Sequence, residues 1–97
     1  MSLIIIFMRK RVELKIHGKV QGVFFREISR IEAGKLNLVG FVGNEPDGTV
    51  KIVAEGEDKD LNRIIEWCKY GPDNAEVEKV DVKWAEATGG LDDFTIK

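Results

Sequence analysis

The chain has 97 residues, 43% of them hydrophobic and 33% charged, with a formal net charge of -2. That composition predicts one soluble globular domain, burying roughly 60–70% of the surface its unfolded chain exposes, and it argues against a nucleic-acid binder working through a broad basic face. Cys68 is the only cysteine, which excludes an intrachain disulfide and a thiolate metal cluster and fits a reducing, cytoplasmic setting.

Residues 3–8, Leu-Ile-Ile-Ile-Phe-Met, form an apolar run, far short of the ~20 residues that span a bilayer. No basic residue precedes it and no cleavage signal follows, so neither a membrane anchor nor a signal peptide is expected. The run reads as an added edge strand, which must be paired or covered because exposed β-prone hexamers aggregate. Residues 1–11 are thus an apolar and basic extension ahead of a domain over 12–97. A monomer is expected, with residues 3–8 as the route to any dimer.

Val12, Leu14 and Ile16 alternate with Glu13, Lys15 and His17, the pattern of a half-buried strand. His17 falls on its outer face, where it either supports the following loop or neighbours a binding site. A helix follows over about residues 23–36, with Phe24, Ile28 and Ile31 at helical spacing as its expected core face. Gly34 weakens its interior by about 1 kcal/mol against Ala, and Asn37 is a left-handed stop. Leu38 to Val42 reads as a second strand. Asn44-Glu45-Pro46-Asp47-Gly48 is turn chemistry, and Val50, Ile52 and Ala54 mark a third strand that Gly56 closes. Asp58 is the expected N-cap of a second helix, striped by Leu61, Ile64, Ile65 and Cys68 and stopped by Gly71-Pro72. Val80, Val82 and Trp84 alternate in a fourth strand, and Phe94-Thr95-Ile96 forms a short last one.

The order β-α-β-β-α-β with an extra short strand predicts an α+β class. It is a ferredoxin-like split βαβ sandwich, with an antiparallel sheet of four core strands, the short extra strand, and two helices on one face. The end of strand one and the entrance of helix one are then expected near the end of strand two, on the premise that these parallel strands are neighbours.

The chemistry concentrates in Gly18-Lys19-Val20-Gln21-Gly22-Val23-Phe24-Phe25-Arg26. Two glycines bracket a loop that leads into a helix N-terminus, where unpaired N–H groups and the helix dipole both favour an anion. Arg26 adds a planar fork suited to phosphate. The plainer reading of the loop is a tight strand-to-helix connection, and the plainer reading of Asn44 is a turn residue. The Gly-Lys-Ser/Thr ending of a Walker loop is missing. No cluster with metal-ligand spacing occurs and no cofactor is expected. Cys68, on an apolar stripe, reads as a buried, inert thiol. N–H donors, one Arg and one amide suffice for a reaction whose leaving group needs no proton. Hydrolysis of a carboxylic–phosphoric anhydride is such a reaction, because the departing carboxylate has a conjugate acid of pKa about 4. Asn44 would hold the water.

At these residues the chain resembles the acylphosphatase family. The resemblance rests on Gly18 to Arg26, on Gly40-Phe41-Val42-Gly43-Asn44 and on Gly48-Thr49-Val50 with Gly56. Leu36, Leu38, Trp67, Gly71-Pro72 and Phe94-Thr95-Ile96 support it, and it covers about residues 12–97. It implies metal-independent hydrolysis of small acyl phosphates. Arg26 would bind the phosphate, Asn44 would position the nucleophilic water, and the backbone of Lys19, Val20, Gln21, Gly22 and Val23 would form the cradle, which inorganic phosphate or sulfate could also occupy. Lys19 stands where the family commonly has Arg, and Gly43 where a longer side chain is usual. Two rival readings are a phosphate-binding module without turnover and a small RNA-contacting domain. The wet sheet face lacks the paired aromatics that RNA binding through a sheet uses.

Overall fold

The computed structural model describes residues 9–97, so the expected strand at residues 3–8 lies outside the described residues. In chain order the elements are β1 (Arg9–Lys19), α1 (Phe25–Lys35), β2 (Val39–Asn44), β3 (Val50–Glu57), α2 (Asp58–Cys68), β4 (Glu76–Glu86) and β5 (Phe94–Ile96). They build one five-stranded sheet in the order β4-β1-β3-β2-β5. The four long strands pair antiparallel, while β5 lies parallel to β2. The sheet is therefore mixed, and the ferredoxin-like α+β class holds.

One premise fails. β1 and β2 are not neighbours: β3 lies between them, with Ile16 and Asn44 both opposite Val50. The C-terminal ends of β1 and β2 still reach the same end of the sheet, because both strands pair antiparallel with the same central partner.

Val12, Leu14 and Ile16 of β1, Val50, Ile52 and Ala54 of β3, and Leu61, Ile64 and Cys68 of α2 are buried in one core. The alternation in β1 and β3 thus selects the face the helices cover. α1 packs over β2 and β5, and α2 over β1, β3 and β4. The opposite face carries Arg11, Glu13 and Lys15 of β1, with Lys97 Nζ 3.8 Å from the centre of the Phe41 ring.

The helix boundaries shift, and α1 turns a different face inward from the one its spacing predicts. Phe24 is 64% exposed and Ile31 50% exposed, and Ile28 is only half-buried. The buried residues are Phe25, Ser29 and Ala33. Phe24 sits before the helix at φ 65 and ψ 22, so its side chain is out of phase with the helical stripe. Two small residues on the inward face let the helix approach the sheet closely. The Ser29 hydroxyl is satisfied at 3.1 Å by the Arg26 carbonyl, an intrahelical bond of the kind Ser uses when buried. Asn37 does adopt the left-handed conformation, at φ 57.

β3 runs through Gly56 to Glu57, and α2 follows at once with Glu57 in the N-cap position and no side-chain capping bond. Asp58 is therefore the first helical residue and not the cap, where it and Asp60 complement the dipole. Gly71 stops α2 at φ 70, its N–H donating to the Trp67 carbonyl at 2.8 Å. In β4 the expected inward residues Val82 and Trp84 remain 39% and 44% exposed. β4 is an edge strand, and the helices do not cover it fully.

Candidate active site

Gly18 breaks the regular path of β1. The β1–β4 register shifts between His17 and Gly18, a bulge that redirects the strand. A Cβ at residue 18 would lie 2.1 Å from the Glu76 carbonyl oxygen, so only glycine fits. Beyond the bulge, Gly22 has φ 76 and Phe24 φ 65, with no positive φ at residue 23 between them. Alternation of left-handed and ordinary backbone makes successive N–H groups converge into a concave nest for anions.

Among the described residues, no backbone or side-chain acceptor takes a hydrogen bond from the N–H groups of residues 20–27. The first bond of α1 outside the loop runs from Ile28 N to the Phe24 carbonyl, at 3.1 Å. The run joins the free first-turn donors of α1 to the loop's own.

A depression of about 140 Å³ is lined by Val20, Gly22, Phe24, Phe25, Arg26, Glu27 and Asn44. Of the residues singled out from sequence, Val20, Gly22, Arg26 and Asn44 meet here. Lys19, Gln21 and Val23 fall outside the lining: Lys19 is exposed and Val23 buried, and the Gln21 side chain turns to the β2–β3 turn, as described below. Phe24, Phe25 and Glu27 also line it but were not foreseen as site residues. Their place in the first turn beside Arg26 is the only signal that could have flagged them.

Arg26 makes no ion pair among the described residues, so its guanidinium is not neutralised by a neighbouring carboxylate. Asn44 is exposed at the end of β2. Its turn is held firmly: Glu45 N donates to the Thr49 carbonyl at 2.9 Å, and Asp47 Oδ1 accepts from Thr49 N at 3.0 Å and from the Thr49 hydroxyl at 2.6 Å. The Thr49 hydroxyl and the Lys15 ammonium hold the Asp47 carboxyl well below the usual carboxylate range. That leaves it ionised and acceptor-only throughout the neutral range.

His17 points elsewhere, with Nε2 2.8 Å from Asp81 Oδ2 on β4. Of the two roles left open for it, support of the outer face next to the bulge is the one its contacts describe. Burial pushes the Cys68 thiol far up, which makes it an inert core residue. A larger depression of about 370 Å³ lies on the outer sheet face, lined by Glu13, Lys15, Lys51 and Asp81 among others. Its charges are mixed and no helix N-terminus opens into it, so size does not select the site; the donors do. No group of three or more His, Cys, Asp or Glu residues is placed to hold a metal ion among the described residues.

Comparison with known proteins gives the family of the chain. The acylphosphatase family model matches residues 12–96. An acylphosphatase of Syntrophus aciditrophicus is 46% identical over 89 residues, covering 92% of this chain and 93% of that protein. The crystal structure of acylphosphatase from Bacillus subtilis superposes with a TM-score of 0.88 at 34% identity, over 91% of this chain and 98% of that one. Full-length HypF in its phosphate- and nucleotide-bound form matches with a TM-score of 0.81 at 30% identity, over 92% of this chain but only 12% of that one. With the model spanning nearly all of the described chain and the relatives matched almost end to end, the chain belongs to the acylphosphatase family.

Proposed function

We propose that this chain hydrolyses small acyl phosphates to carboxylate and phosphate, without a metal, at the depression between the loop and Asn44. The observation that carries this reading is the run of unpaired amides over residues 20–27, beside a depression that Val20, Gly22, Phe24, Phe25 and Glu27 line together with an unneutralised Arg26 and with Asn44.

In this reading the phosphate sits in the nest. Its oxygens accept from the loop amides and from the Arg26 fork. Asn44 holds the attacking water, its carbonyl oxygen accepting a water proton and its amide group donating to the water or the phosphate. The water oxygen bonds to phosphorus as the bond from phosphorus to the acyl oxygen breaks, and the carboxylate departs with the electron pair. One water proton remains on the phosphate and the other is released to solvent or to phosphate, according to pH. The carboxylate needs no general acid because its conjugate acid is already strong, with a pKa of about 4. The site therefore works by placement and charge stabilisation, which phosphoryl transfer principally requires.

Turnover of a simple acyl phosphate in excess chelator tests this. Activity should persist, and Arg26→Ala and Asn44→Ala should each lower kcat by about 10²–10³, the loss seen when one transition-state donor is removed. Activity that disappears with chelator, or that survives Arg26→Ala, overturns the reading. The likeness to phosphate-bound HypF favours one rival, a module that holds phosphate without turning anything over. Saturable phosphate binding with no hydrolysis of any acyl phosphate would establish that rival instead.

A further inference from the structure

The side chain of Gln21 leaves the cradle and crosses to the turn after β2. Its Nε2 donates to the Glu45 carbonyl at 2.8 Å and to the Thr49 carbonyl at 2.9 Å. These carbonyls stand at the base of the β2–β3 turn, where Glu45 N also donates to Thr49 O at 2.9 Å and Gly48 N to Glu45 O at 3.1 Å. One carboxamide therefore clamps both sides of the turn that begins at Asn44.

The sheet does not supply this link. β3 separates β1 from β2, so the loop leaving β1 and the end of β2 approach Val50 from opposite sides. The cradle and the water-holding amide are carried on chain segments that share no ladder hydrogen bond. An ion pair of 2.9 Å ties Lys15 of β1 to Asp47 in the turn, but Gln21 is the one side chain of the loop itself, among the described residues, with hydrogen bonds that join the loop to that turn. Its amide suits the place: it is neutral, so it neither repels nor traps an anion, and its two N–H donors lie in one plane and reach two acceptors at once.

We propose that Gln21 is a positioning residue for the reaction, holding Asn44 at a fixed distance from the anion cradle so that the bound water lies in line with phosphorus. This rests on the site reading above. Both carbonyls keep a backbone partner when Gln21 is lost, so no buried acceptor is stranded and the fold does not depend on the clamp. Rate and stability are thereby separable.

The test is Gln21→Met, which keeps the length of the side chain and removes both donors, run beside Gln21→Ala in case the thioether crowds the turn. Each is made in the parent and in Asn44→Ala, with single-turnover rates measured at excess enzyme so that slow variants remain readable. A misplacement of about 1 Å can cost on the order of 100-fold, so kcat in the parent background should fall by about tenfold or more. Competitive inhibition by inorganic phosphate should stay within about threefold, because the cradle itself is untouched and the fold intact. In the Asn44→Ala background the same substitution should change kcat by less than about twofold, since two residues acting through one contact are not additive. Equal losses in both backgrounds, or phosphate inhibition that weakens in step with kcat, overturn the positioning role and leave the site reading standing. An Asn44→Ala enzyme as fast as the parent overturns the site reading itself, and the role of Gln21 with it.

Discussion

Phe24 holds φ 65 and leaves a benzyl group 64% exposed. A left-handed conformation costs a bulky L-residue on the order of 1–2 kcal/mol, and this one recovers little by packing. The conformation suits the backbone: with Gly22 at φ 76 it gives the loop the alternation of left-handed and ordinary conformations from which an anion nest is built. The strain thus belongs to the nest and not to the side chain. Replacing Phe24 by Gly should preserve the loop and hold the unfolding free energy level or raise it by up to about 1 kcal/mol, the greater freedom of unfolded glycine offsetting part of the relief. Replacing it by Val, β-branched and intolerant of positive φ, should lower it by about 1 kcal/mol or more. Urea unfolding of the two variants decides this, and a Gly variant less stable than the Val variant would mean that the phenylalanine packs against something essential.

The connection from β4 to β5 sets a problem for the elements on either side of it. β4 and β5 are the two edges of the sheet, so residues 87–93 must cross the ends of three strands. Four strand spacings are about 19 Å, and seven residues reach about 23–25 Å when extended, so the crossing is nearly taut. Glu55, on the central strand and 1% exposed, fastens it at the middle. Its carboxylate accepts from Arg11 Nη1 at 2.9 Å, Thr88 Oγ1 at 2.8 Å, Thr88 N at 3.1 Å and Gly89 N at 3.2 Å. Burial pushes this carboxyl up, but the Thr88, Arg11 and Gly89 donors outweigh burial and hold it below the ordinary glutamate value. A group depressed in the folded state contributes stability above its unfolded pKa and loses it as pH falls through its folded one. The parent should therefore lose unfolding free energy as pH drops below about 4.5. Glu55→Gln should be less stable at neutral pH but show a shallower acid loss over that interval, and parallel curves for the two proteins would exclude Glu55 as the group responsible.

For the molecule as a whole, element order and turn chemistry were enough to reach the fold class: the loop, the hairpin and Gly71-Pro72 carry their geometry in local residue types. Global pairing was less legible. Nothing local to Ile16 or Asn44 reveals that β3 lies between their strands, and the stripe of Phe24, Ile28 and Ile31 has helical spacing whichever way α1 faces. The Gln21 clamp was hidden for the same reason, since it joins residues 24 and 28 positions apart. Coupling between site and core is then a property of the whole fold, and Cys68 can report it. The thiol is fully buried in the same core as Val20 and Val23 of the loop, and burial keeps it protonated, so a thiol reagent can label it only when the fold opens. An anion that binds only the folded state stabilises it by RT ln(1 + [L]/Kd), about 2.7 kcal/mol at 100 Kd. Phosphate at that excess should slow Cys68 labelling by about 100-fold where opening is global, and Arg26→Ala should lose most of the protection at the same phosphate concentration. Labelling that ignores phosphate in the parent would mean that the cradle is not joined to the core, while protection that survives in full without Arg26 would place the anion elsewhere on the molecule.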